Sequence, residues 1–133
     1  MKMTVNSMKC FSWSRLAIFT AAMAVLSSCG GGQSGMKLGD DEFTVLETPG
    51  HTPGSVTYLK NNELYCGDTL FQGSMGRTDL YGGNDEQMTA SLARLGSLQG
   101  YYKVFPGHGS ATNLEDEKLA NPFLKQAIAR LSR

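Results

Sequence analysis

Residues 48–71 read TPGHTPGSVTYLKNNELYCGDTLF, an alternation of turn formers and strand formers. Ser55 to Lys60 is β-branched and aromatic, which predicts a strand. Asn61-Asn62 is a turn signal, and Glu63 to Cys66 predicts the returning strand of a hairpin. Corners rich in glycine bound the hairpin on both sides. Each carries one chemically capable side chain: His51 in Pro49 to Gly54 before it, and Asp68 in Gly67-Asp68-Thr69 after it. Upstream, Phe43 to Leu46 predicts another short strand, closed by Thr48-Pro49-Gly50.

Downstream, Gly73, Gly76, Gly82 and Gly83 punctuate a long loop. Asn84 opens a helix with Gln87 as its capping-box partner, and Met88, Leu92 and Leu95 give that helix one apolar stripe. Tyr102 to Phe105 predicts a fourth strand, stopped by Pro106-Gly107. Thr112 with Glu115 predicts a second capping box and a helix running to Ala120; Pro122 interrupts it, and Phe123 to Leu131 predicts a last helix. The order βββαβα is that of an α/β fold with a helix covering one sheet face.

The chain contains two histidines, and both stand in the same setting, Pro49-Gly50-His51 and Pro106-Gly107-His108, directly after strand-like runs. Asp68 also follows a strand and a glycine. Glycine beside a ligand lets the backbone turn sharply and approach a small ion. Neutral imidazole and carboxylate suit zinc or iron. Residue chemistry by itself leaves two readings open: metal ligation by His51, Asp68 and His108, or two ordinary histidines at the surface or in the core. Cys66, within Leu64-Tyr65-Cys66, reads as a small buried hydrophobe.

The motifs TPGHTPGSVTYL, LYCGDTLF, GRTDL, VFPGHGSAT and NPFL, spread over Lys37 to Leu124, resemble the metallo-β-lactamase fold and, more narrowly, its short glyoxalase II-like (hydroxyacylglutathione hydrolase-like) branch. The resemblance implies an αββα sandwich, of which this chain matches the second half. It also implies a site for up to two zinc or iron ions. The match of His51 binds the first metal, the match of His108 the second, and the match of Asp68 bridges both. The implied activity is hydrolysis of a small-molecule thioester by water that the metals acidify. Arg77 matches a position where glutathione-binding members place a basic residue against a substrate carboxylate; a loop salt bridge to Asp79 is the other role open to it. Persulfide oxidation, lactone hydrolysis and β-lactam hydrolysis are related activities of the same superfamily.

The first half of that family carries an HxHxDH motif, and with His51 and His108 as the only histidines this sequence has none. Each metal is left with one histidine and the shared Asp68, where a catalytic zinc normally has three protein ligands. Weak metal binding is therefore expected, and an inactive lone chain. A partner chain or an oligomer that supplies the missing half is the second hypothesis. A lipid-anchored binding or scaffold protein that lost the chemistry is the third. Half of a two-sheet sandwich is also expected to expose an apolar sheet face, partly from SVTYLK and ELYCG.

The N-terminal part reads differently. Lys2, Lys9 and Arg15 precede the apolar run Leu16 to Leu26, which is too short to span a bilayer as a helix. Leu26-Ser27-Ser28-Cys29 resembles the bacterial lipobox. The expectation is a lipoprotein signal peptide over 1–28, then a lipidated Cys29 with a glycine-rich tether over 29–35, then a partial domain over 36–133. This would anchor the protein to a membrane of the bacterial cell envelope. Twelve basic residues balance twelve acidic ones over the whole 133-residue chain. That balance offers no basic face for nucleic acid, which is not an expected partner. An 18% charged and 41% hydrophobic composition likewise excludes a disordered chain.

Overall fold

The computed structural model describes residues 33–131; the expected signal peptide and Cys29 lie outside them. In chain order the elements are β1 (Gln33–Leu38), β2 (Asp41–Glu47), β3 (Val56–Lys60), β4 (Glu63–Gly67), β5 (Leu70–Phe71), β6 (Ser74–Met75), α1 (Asp85–Gly96), β7 (Lys103–Pro106), β8 (Thr112–Asn113), α2 (Leu114–Ala120) and α3 (Pro122–Leu131). Six strands form one sheet in the order β1-β2-β3-β4-β7-β8. Neighbours run antiparallel except β4 and β7, which are parallel and joined by the crossover that contains α1. The fold is the expected mixed α/β architecture.

The sheet is two-faced because its sequence alternates. In β4, Leu64 and Cys66 are buried while Tyr65 and Gly67 are exposed. Leu46, Leu64, Cys66 and Val104 meet Met88, Leu92 and Leu95 of α1 and Leu124 of α3 in one apolar core. Burial of each such large side chain is worth about 1.5–3 kcal/mol. Gly96 of α1 lets α3 come close, since a Cβ there would lie 2.7 Å from Ile128. On the opposite face Val45, Tyr58, Tyr65 and Phe105 stand in one cross-strand row. Tyr65 and Phe105 stack at 5.1 Å between ring centroids. Tyr65 stays 38% exposed, while Val45, Tyr58 and Phe105 are half-buried.

The hairpin turn between β3 and β4 falls at Asn61-Asn62 as expected, with Asn61 in the left-handed region at φ 51°. Helix α1 is capped as expected, by the Asn84 side chain accepting from the Gln87 backbone N–H at 2.9 Å.

Four details depart from the sequence reading. Strand β1 begins at Gln33, inside the stretch read as tether; its backbone pairs with β2 from Gln33↔Leu46 onward, which requires no side chain from Gly35. The cap of α2 is Asn113, not Thr112: Asn113 Oδ1 accepts from the Asp116 N–H at 2.8 Å, while the Thr112 hydroxyl goes to Glu117. Pro122 starts α3 instead of merely interrupting a helix, since its missing N–H is no loss at a first helical position. The glycine-punctuated loop contains the small β5–β6 hairpin, turned at Gly73 with φ 66°.

Candidate metal centre

His51, Asp68 and His108 come from three separate corners after the C-terminal ends of β2, β4 and β7, and the fold brings them together. His51 follows β2. Its loop is docked on the start of α1: the Pro49 carbonyl accepts from Ser91 Oγ at 2.6 Å, and the Gly50 carbonyl accepts from the Asn84 N–H at 2.8 Å. Gly50 has φ 142°, and a Cβ on it would lie 2.5 Å from the Met88 backbone. No other residue lets this loop sit so close to the helix. Beneath the loops, Thr48, Thr57 and Thr69 are fully buried and linked hydroxyl to hydroxyl at 3.1 and 3.3 Å, which ties the His51 corner to the Asp68 corner.

Asp68 is seated by two glycines. A Cβ at Gly107 would lie 2.5 Å from Asp68 Oδ1, and one at Gly76 would lie 1.8 Å from the Asp68 carbonyl oxygen. The Gly107 N–H donates to the Gly67 carbonyl at 2.8 Å, which draws the β7 corner and its following His108 onto the β4 corner.

The carboxylate faces both imidazoles. His51 Nε2 lies 3.5 Å from Asp68 Oδ2, and His108 Nε2 lies 3.7 Å from Asp68 Oδ1. Both separations are long for a hydrogen bond. They are close to the spacing of two ligands on one ion, since atoms about 2.1 Å from a tetrahedral metal stand about 3.4 Å apart. His51 Nδ1 is 2.7 Å from the Arg77 carbonyl oxygen. A carbonyl only accepts, so Nδ1 carries the hydrogen, and the ring turns its Nε2 edge toward the carboxylate. Imidazole and carboxylate are donors that suit a cation, and Asp68 turns one oxygen toward each imidazole. Among the described residues, no three His, Cys, Asp or Glu side chains are grouped to hold a single ion.

The two histidines are held differently. The His51 side chain is 22% exposed and fixed by a hydrogen bond, whereas that of His108 is 73% exposed and rests on Phe71, ring centroids 4.4 Å apart. Arg77 does two things. Its carbonyl orients His51, and its guanidinium makes a bidentate pair with Asp79, Nε and Nη2 each donating at 2.9 Å. The guanidinium's hydrogen bond holds the Asp79 carboxyl below its usual range. The loop salt bridge left open by the sequence is thus formed, with the guanidinium in solvent. Cys66 is buried as expected, and burial pushes its thiol up to about 11; it is hydrogen-bonded to the Leu70 carbonyl at 3.2 Å and takes no part in the centre.

Sequence reasoning did not find Phe71 or the Arg77 carbonyl. An aromatic residue directly after GDTL was the only signal for the first, and a backbone oxygen leaves none for the second.

The chain is similar in sequence and in fold to known proteins. A family model described as "Metallo-beta-lactamase superfamily" matches residues 21–108. The chain is 44% identical over 96 residues to the probable metallo-hydrolase YqgX of Bacillus subtilis, covering 70% of this chain and 46% of that protein. It is 39% identical over 92 residues to the hydroxyacylglutathione hydrolase GloC of Haemophilus influenzae, covering 67% of this chain and 43% of that protein. The solved structure of TTHA1623 in a di-iron-bound form superposes with a TM-score of 0.61 at 45% identity, over 67% of this chain and 45% of that one. The chain thus spans less than half the length of these relatives.

Proposed function

The chain belongs to the metallo-beta-lactamase superfamily, and we propose that residues 33–131 carry one half of a two-metal hydrolytic centre of the glyoxalase II-like kind, acting on a small-molecule thioester. The observation that carries this reading is the single carboxylate of Asp68 set between His51 Nε2 and His108 Nε2. His51 would hold one ion, His108 the other, and Asp68 both; zinc or iron suits these donors. When bound, such ions supply Lewis-acid polarisation of a carbonyl and acidify water.

The chain's own residues prepare the site. The Arg77 carbonyl keeps the proton of His51 on Nδ1 and leaves Nε2 free. Gly107 and Gly76 hold Asp68 in one position. Arg77 would exchange Asp79 for a substrate carboxylate, since both partners of the pair lie in solvent, where such a pair is weak. With one histidine and a shared carboxylate per ion, residues 33–131 alone bind metal weakly and do not turn over. The remaining ligands would come from a further polypeptide segment, for which the partly exposed row Val45, Tyr58, Tyr65 and Phe105 offers a seat.

Co-expression with the N-terminal portion of a full-length relative tests this. Hydrolysis of a hydroxyacylglutathione thioester by the paired chains, absent from either alone and lost with Asp68→Asn, is the expected result. A stable pair that holds two metals and hydrolyses no thioester would overturn the substrate reading. We also propose attachment to the cell envelope through a lipid on Cys29; fatty-acid labelling should mark the wild type and not Cys29→Ala, and equal labelling would exclude it.

A further inference from the structure

We propose that Glu117 and Asn121 form a buried clamp that positions His108, acting through the β5–β6 hairpin and the ring of Phe71. This rests on the assignment of His108 to the metal centre, but its geometry is independent of any bound ion.

His108 needs such a device. Among the described residues no hydrogen bond holds its imidazole, and its one side-chain neighbour in ring contact is Phe71. Phe71 belongs to a hairpin of two residues per strand, Leu70↔Met75 and Phe71↔Ser74, too short to be stable alone. Its turn is held from beneath. Asn121 Nδ2 donates to the Phe71 carbonyl at 3.2 Å and to the Ser74 carbonyl at 2.9 Å. Glu117 Oε2 accepts from the Gly73 N–H at 2.8 Å and from Asn121 Nδ2 at 2.9 Å. Every free polar group of the turn that these side chains meet is thereby satisfied, away from water: Asn121 is 0% and Glu117 3% exposed.

The same carboxylate reaches the other side of His108. Glu117 Oε1 accepts from Thr112 Oγ1 at 2.7 Å, and Thr112 is where the chain resumes pairing with β7 after the His108 corner. The corner is therefore fixed at its entrance by Gly107 on Gly67, at its exit by Thr112 on Glu117, and at its ring by Phe71. Asn121 divides its labour: Oδ1 accepts from the Phe123 and Leu124 N–H groups and caps α3, while Nδ2 serves the hairpin. Buried polar groups linked in this way hold a definite geometry because each lost partner leaves another group unsatisfied.

Phe71 should shift the His108 ring protons upfield, which gives a readout in metal-free protein. Three variants separate the roles. Asn121→Asp keeps the oxygen that caps α3, removes both hydrogen bonds to the hairpin and sets a second carboxylate against Glu117. Glu117→Gln is isosteric: its oxygen still accepts from Gly73 and Asn121, and its amide donates to Thr112. Phe71→Leu removes the ring and leaves the clamp.

The expected result is loss of the upfield shift of His108 in Asn121→Asp and Phe71→Leu, its retention in Glu117→Gln, and unchanged His51 signals in all three. Folded Asn121→Asp protein with wild-type His108 shifts would overturn the proposal, as would equal movement of His51 and His108. Should Asn121→Asp fail to fold, Phe71→Leu with wild-type His108 shifts would overturn it by itself. Zinc titration of the same samples separates this proposal from the site reading. Shifts that behave as expected with no zinc response in any sample defeat the metal assignment and leave the clamp standing.

Discussion

Gly107 lies so close to Asp68 that the carboxylate oxygen Oδ1 is 2.5 Å from where a Cβ would stand. The β7 corner can meet the β4 corner only because this residue has no side chain. Gly107→Ala should displace the Asp68 carboxylate and cost about 1–3 kcal/mol, the usual penalty for overpacking. Gly54→Ala is the control, since a Cβ there meets nothing within 4 Å. Chemical denaturation of both variants checks the difference, and only Gly107→Ala should also alter the response of His51 to zinc.

Cys66 provides a pH signature. Burial raises its thiol from 9.0 to about 11 in the folded protein. A raised thiol means that the folded state holds its proton longer than the unfolded state. The resulting contribution is complete below about pH 9 and is lost as pH rises through about 11. At 1.36 kcal/mol per unit the loss is about 2–3 kcal/mol. Unfolding free energies between pH 8 and 11 should show this decline in a Cys10→Ser/Cys29→Ser background, and Cys66→Ala should remove it.

Arg77 should separate backbone from side chain. Its carbonyl orients His51, and every residue type supplies a carbonyl; its guanidinium reaches Asp79 in solvent. Arg77→Ala should leave zinc binding and stability nearly unchanged, as for most surface changes. In the complemented assembly it should raise KM for an anionic thioester with little change in kcat. A loss of zinc binding would show that the guanidinium, and not the carbonyl, supports the centre.

The elements that place the site were legible for a definite reason. The hairpin of β3 and β4, the Asn84 cap and the Met88–Leu92–Leu95 stripe follow from local patterns, alternation and helical spacing, which need no tertiary context. The three residues at strand ends stood out by their glycine- and proline-flanked settings, but a ligand role for them came only from the family resemblance. What stayed hidden depends on contacts distant in sequence. The β5–β6 hairpin is held by Asn121 and Glu117 from another part of the chain. Strand β1 pairs through backbone groups, so its glycine read as tether. The cap at Asn113 instead of Thr112 was decided by Glu117, which takes the threonine hydroxyl. The Arg77 side chain had two roles open to it in the sequence, and only coordinates could show the pair with Asp79.

His51, Asp68 and His108 are proposed here as two metal half-sites sharing one carboxylate. The most direct measurement is a zinc titration of the metal-free protein followed by the imidazole nitrogen NMR signals of both histidines, in wild type and in Asp68→Asn. The account predicts that Nε2 of His51 and Nε2 of His108 both respond, weakly and reversibly, and that Asp68→Asn abolishes both responses together. Silence at both histidines, or responses that survive Asp68→Asn, would contradict it.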